Sequence, residues 1–142
     1  MALAQAGGTA ETHLHFLSQL APVPCREDVP LMAERHFHRT GNAVEVGVYR
    51  GGFSKHALSL WSGRYWMVDA WSHRKDGSND KNRPEPEWHQ QNFDLARRAV
   101  QPHLDRATLV RRLSAEAAQN FSDGFFDCVC AHACRALATR GP

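Results

Sequence analysis

Ala43-Val44-Glu45-Val46-Gly47-Val48-Tyr49-Arg50-Gly51-Gly52-Phe53-Ser54 decides how the chain is read. The stretch opens as a short apolar run with β-branched residues. It passes through Gly47 and Gly51 and enters Phe53 to Trp61, where apolar residues recur at helical spacing. This pattern predicts a strand, a tight glycine turn and a helix N-terminus. Such a turn brings backbone close to a ligand, and the helix start offers unpaired N–H groups. The spacing, Glu-x-Gly-x-x-x-Gly, is not that of the dinucleotide fingerprint G-x-G-x-x-G.

Outward from this stretch the chain alternates between elements. Ala43 to Gly47 is nearly all apolar apart from Glu45, the pattern of a central parallel strand buried on both faces. The helix after the turn is expected to reach about Trp61 and to end at Ser62-Gly63. Tyr65 to Asp69 reads as a second strand. Residues 71–86 form a long polar insert, of a length that in a compact domain marks a functional or disordered loop. Glu87 to His103 reads as a helix with Trp88, Phe93, Ala96, Val100 and Leu104 inward. Ala107 to Arg111 is a third strand, Ser114 to Ala118 a short helix with Ser114 as N-cap, and Phe125 to Ala131 a fourth apolar strand. Upstream, residues 1–10 are small and Gly-rich and are expected to be disordered. Glu11 to Leu20 suggests a short amphipathic helix broken by Pro22 and Pro24, and a second helix is expected to run to about Arg39. Strand and helix alternation argues for an α/β domain over residues 11–142, with a parallel sheet and right-handed crossovers.

Composition bounds the function. With 142 residues the chain is expected to be one domain. Lys plus Arg is 17 and Asp plus Glu 15, a net charge of +2, so neither nucleic acid nor an anionic membrane is called for. No apolar run has the length of a membrane span, and Met1 to Gly8 lacks the basic start and apolar stretch of a secretory signal. Cys25, Cys128, Cys130 and Cys134 are therefore expected as reduced thiols in a cytoplasmic chain. Cys128, Cys130, His132 and Cys134 alternate along one face of an extended strand, which does not surround a tetrahedral metal, so no metal site is expected. A serine hydrolase is disfavoured because Gly-x-Ser-x-Gly is lacking.

Glu45-x-Gly47-x-x-x-Gly51, followed by Tyr65-Trp66-Met67-Val68-Asp69-Ala70-Trp71, resembles the first two motifs of class I S-adenosylmethionine-dependent methyltransferases, in their small-molecule-type branch. The resemblance covers roughly 43–131 and implies a Rossmann-like fold that binds S-adenosyl-L-methionine and transfers its methyl group to a small-molecule acceptor. It implies a cofactor site at Glu45, Gly47, Val48, Tyr49, Gly51, Gly52, Asp69, Ala70, Ser114 and Ala115. Asp69, at the end of the second strand, is expected to accept both ribose hydroxyls. Ser114 and Ala115 match the family's adenine side. Glu45 bears indirectly on the methionine ammonium in that family. A structural role as acceptor of hydrogen bonds is the alternative, since an unpaired buried carboxylate would cost several kcal/mol.

The chain departs from the family at the fourth strand. Phe126-Asp127-Cys128-Val129-Cys130-Ala131-His132 places His132 where the family has an acid. The strands that complete the family's sheet do not follow, so an incomplete sheet of about four strands is expected, without an assignable catalytic residue. Two alternatives accompany this reading. One is a truncated, inactive chain that binds nucleoside weakly or self-associates through an exposed fourth-strand edge. The other is a nicotinamide-dependent oxidoreductase, against which the glycine spacing argues.

Overall fold

The computed structural model describes residues 26–72 and 86–132. The expectations for residues 1–10, for the helix at 11–20, for most of the polar insert, and for Cys25 and Cys134 lie outside them. A 3₁₀ turn, Arg26–Asp28, leads into α1 (Val29–Arg35); then come β1 (Asn42–Val46), α2 (Gly52–Leu60), β2 (Arg64–Asp69), α3 (Pro86–Ala99), a second 3₁₀ turn (Gln101–His103), β3 (Ala107–Arg111), α4 (Ser114–Ala118) and β4 (Cys128–Ala131). The four strands form one sheet of order β3-β2-β1-β4, with all three pairings parallel. This is the α/β Rossmann-like arrangement expected from the alternation of elements. β1, β2 and β3 step outward in one direction and β4 joins on the opposite side of β1, so strand order reverses between β1 and β4. Ligands of such sheets bind at that switch point, beyond the carboxyl ends of the strands.

Alternation along β1 sorts its side chains between two cores. On one face Ala43 packs with Tyr65 and Met67 of β2, Ala33 of α1, Ala57 and Leu58 of α2, and Ala96 of α3, all buried. On the other, Val44 and Val68 meet Ala117 of α4, flanked by Trp66 and Phe126. Two-sided burial is why β1 reads as an apolar run and not as an alternating one.

Several boundaries differ from the sequence reading, each for a local reason. α1 ends at Arg35, not Arg39: the chain turns through N–H bonds from His36 and Phe37 to the Met32 carbonyl, and His38 is left-handed at φ 52. α2 stops at Leu60 because Trp61 is already extended. The Arg106 guanidinium reaches back to the carbonyls of Leu58, Trp61 and Gly63 and so satisfies helix-end acceptors that have no intrahelical donor. Ser114 is not the cap of α4. Leu113 occupies the cap position and no side chain caps the end. The buried residues of α3 are His89, Asn92 and Ala96, with Val100 buried just beyond its end, while Leu104 is exposed; the inward stripe is rotated toward two polar residues. β4 begins at Cys128, since Phe125 and Phe126 turn into a ring cluster with Phe121. Among the described residues no helix is long and apolar enough to cross a membrane.

Candidate functional site

A cavity of about 410 Å³ opens at the strand tips beside the switch point. Every parallel strand contributes to its wall. Gly47 and Tyr49 follow β1, Asp69 and Trp71 close β2, Ser114 follows β3, and His132 follows β4. Trp88, His89 and Asn92 of α3 supply the remaining side. Its volume lies within the range of small-ligand sites.

Asp69 organises the loops around this cavity. Its Oδ2 accepts the Tyr49 N–H at 2.8 Å and its Oδ1 accepts the Trp71 N–H at 3.1 Å. Tyr49 and Trp71 are both left-handed, with φ 58 and φ 39. A non-glycine residue held there costs roughly 1–3 kcal/mol, while a hydrogen bond to a charged acceptor contributes roughly 1.5–3 kcal/mol. The carboxylate therefore offsets the strain it sits beside. Trp71 closes the knot by donating its indole N–H to the Tyr49 carbonyl at 2.8 Å. Each carboxylate oxygen can accept a second hydrogen bond, so Asp69 retains acceptor capacity toward the cavity it lines.

The predicted site residues fall into three groups. Gly47, Tyr49, Asp69, Ala70 and Ser114 line the main cavity. Glu45, Val48 and Gly52 instead line a second cavity of about 400 Å³ on the other side of the glycine loop, with Arg26, Arg50 and Phe53; Gly47, Tyr49 and His132 border both. Gly51 and Ala115 line neither. Gly51 is left-handed at φ 77, and a Cβ there would stand 2.9 Å from Ala96 Cα and 3.1 Å from its carbonyl oxygen. Its glycine requirement thus comes from the left-handed backbone and from α2 packing against α3. At Gly47, φ 88, a Cβ would stand 3.0 Å from the His132 carbonyl oxygen, so this glycine lets the loop pass the tip of β4.

Glu45 lies under the second cavity and is 1% exposed. Its Oε2 accepts the hydroxyls of Ser54 and, at 3.3 Å, Tyr65. Its Oε1 stands 3.2 Å from His132 Nε2, within ion-pair distance though not aligned as a hydrogen bond. Arg26 donates to His132 Nδ1 at 2.6 Å. A guanidinium can only donate, so Nδ1 is the acceptor and the ring proton sits on Nε2, facing Glu45. Burial pushes the Glu45 carboxyl up to about 7, against the pull of Ser54, Tyr65 and the Arg26 charge. Burial, and then the Arg26 charge, hold His132 below its ordinary value. Burial and the nearby Glu45 raise the Tyr65 phenol. Cys128 and Cys130 are free thiols; a hydrogen bond between them lowers the first and raises the second. Among the described residues no group of three or more His, Cys, Asp or Glu side chains is arranged to hold a metal ion.

Sequence reading did not single out Arg26, Arg50, Ser54, Tyr65, His89 or Asn92. Arg50 donates from Nε to Asn92 Oδ1 at 2.9 Å and ties the glycine loop to α3. The one available signal was the pair of polar residues, His89 and Asn92, within the inward stripe of a helix that otherwise carries Trp88, Phe93 and Ala96.

The fold is a Rossmann-like α/β domain with a cavity at the switch point. Compared with known protein families and curated proteins, the chain matches no family model and no curated sequence.

Proposed function

We propose that this chain carries the cofactor-binding site of an S-adenosylmethionine-dependent methyltransferase that acts on a small-molecule acceptor. The observation that supports it is the convergence of residues after β1, β2 and β3 on one cavity, with Asp69 at the tip of β2 still able to accept hydroxyl donors. The residues fit an adenosyl group. Asp69 would accept the ribose hydroxyls, Gly47 keeps the loop free of side-chain bulk, and Ala70, Leu113 and Ser114 present a small, mostly uncharged wall for the base. The cofactor supplies an activated methyl on a sulfonium. The protein's part is to hold donor and acceptor in line, which needs positioning more than acid–base help. The free thiols Cys128 and Cys130 accord with a reducing, cytoplasmic setting.

Titration calorimetry with S-adenosylhomocysteine tests this on the wild type and on Ser114→Phe. Ser114 is exposed and lines the cavity, so the larger side chain obstructs the site without disturbing the core. Wild-type binding that is lost in the variant is expected; a folded wild type that binds nothing overturns the proposal.

A second reading is a non-catalytic chain that self-associates. It is favoured by the position of β4 at the sheet edge among the described residues, where Val129 is 61% exposed.

A further inference from the structure

The second cavity, of about 400 Å³, is bordered by two arginines, Arg26 and Arg50. Both are exposed. Arg50 is held at two points. Its Nε donates to Asn92 Oδ1 at 2.9 Å, and its Cζ lies 4.9 Å from the centre of the Tyr49 ring. Its two terminal nitrogens have no hydrogen-bond or ion-pair partner among the described residues. Arg26 commits Nε to Glu27 and one terminal nitrogen to His132, and its guanidinium lies 5.3 Å from the centre of the Phe53 ring.

No exposed carboxylate answers this charge within the cavity. Glu45 is the one acidic residue on its lining and is 1% exposed; its Oε2 takes the Ser54 and Tyr65 hydroxyls and its Oε1 is buried facing His132. Glu27, paired with Arg26, does not line the cavity. Val48, Phe53 and Gly52 complete the wall, and nothing lies within 4 Å of a Cβ placed at Gly52. An open, partly apolar recess beside a guanidinium anchored at Nε suits a planar anion. The two terminal nitrogens form a fork spaced to bond both oxygens of a carboxylate. Anchoring at Nε and on the Tyr49 ring restricts the side chain in advance, so less entropy is lost on binding. Glu45, on the same wall, disfavours a doubly charged phosphate more than a singly charged carboxylate.

We propose that the second cavity is a carboxylate subsite, with Arg50 as its bidentate donor and Arg26 adding positive charge at its rim. It stands apart from the cavity assigned to the adenosyl group, but the two share Gly47, Tyr49 and His132, so their occupants lie side by side. Two sources offer the group: an acidic methyl acceptor, and the amino-acid end of the cofactor itself. The chemistry that recognises either is the same, and the measurements below separate them.

Ligand-observed NMR measures benzoate, and benzamide as its neutral counterpart, on the whole chain, free and in complex with 5′-methylthioadenosine, which has no carboxylate. Calorimetry compares S-adenosylhomocysteine with 5′-methylthioadenosine. Both are repeated on Arg50→Gln, which removes the fork. Should that variant fail to fold, Gly52→Leu carries the comparison by filling the recess from an exposed position. For an acceptor subsite, benzoate binds more tightly than benzamide and weakens about tenfold or more in the variant, while methylthioadenosine changes less than about threefold. For a cofactor subsite, S-adenosylhomocysteine takes that loss instead, against the same small change in methylthioadenosine. Equal losses on the two adenosyl ligands, or none, together with benzoate binding that is absent or indifferent to the variant, overturn the subsite and leave the adenosyl reading standing. A wild type that binds benzoate in this Arg50-dependent way but neither adenosyl ligand overturns the adenosyl reading alone. A folded wild type that binds none of these ligands overturns both.

Discussion

His132 Nε2, at the tip of β4, stands 3.2 Å from Oε1 of Glu45, in the middle of β1, and joins the two strands between which strand order reverses. The pair sets a pH dependence with two opposing arms. Glu45 keeps its proton in the folded chain up to about pH 7, whereas the unfolded carboxyl loses it near 4.5. Folding stability from this group therefore falls as pH rises through that interval, by roughly 3 kcal/mol. His132 is shifted down in the folded chain, so its contribution is present above about 6.5 and is lost as pH falls below that. Replacing Glu45 by Gln removes the first arm only. The stability deficit of Glu45→Gln relative to wild type is expected to shrink between pH 5 and pH 8. Denaturant unfolding at the two pH values measures it, and an offset that does not change with pH would refute the assignment.

Gly51 and Gly52 are adjacent yet differ in what they tolerate. Gly51→Ala must place a Cβ 2.9 Å from the backbone of Ala96 while holding φ 77, so a loss of more than about 2 kcal/mol is expected. Nothing lies within 4 Å of a Cβ at Gly52, the first residue of α2. Gly52→Ala should be neutral or stabilising by about 0.4–1 kcal/mol through the unfolded chain. Thermal melts of the two variants side by side decide the matter; similar shifts would mean that the α2–α3 approach is not what requires glycine at Gly51.

The alternation of apolar runs and glycine turns made the parallel sheet legible, because burial on both faces leaves β1 and β2 few polar positions. The residues that make up the cavity wall were legible only where they sit at strand tips, as Gly47, Asp69 and Ser114 do. Gly51 was legible as a required glycine, but the close approach of Ala96 that adds to the requirement was not. A short motif does not reveal that a helix some 45 positions later packs against it (96 − 51 = 45). Partners of Glu45 were hidden for the same cause: Tyr65 and His132 lie 20 and 87 positions away (65 − 45; 132 − 45) and meet it only through strand pairing. Asn92 escaped because apolar periodicity places a helix face to within a residue or so, and the face of α3 that turns inward is the polar-flanked one.

Asp69 holds the two loops with the same two oxygens that the proposed ligand would use. Asp69→Asn retains one acceptor and replaces the other with an amino group facing a backbone N–H, Tyr49 or Trp71, that has lost its partner. A destabilisation of about 1–3 kcal/mol is expected from that exchange, along with loss of S-adenosylhomocysteine binding. Because Trp71 and Trp88 border the cavity, indole fluorescence reports both effects. Unchanged stability with unchanged affinity would remove Asp69 from both roles.

Val129 tests the edge of the sheet. It projects from β4 with 61% of its surface exposed, and β4 has β1 on one side and no strand on the other among the described residues. An apolar edge with unpaired N–H and C=O groups is a template for a further strand, and lysine on such an edge opposes pairing at little cost to the fold. Light scattering across a concentration series should show wild type associating and Val129→Lys shifted toward the monomer, with melting temperatures within a few degrees of each other at the lowest concentration. A wild type that stays monomeric throughout the series would rule out association through this edge. The catalytic reading would be unaffected, since no residue of β4 itself, as distinct from the following His132, lines either cavity.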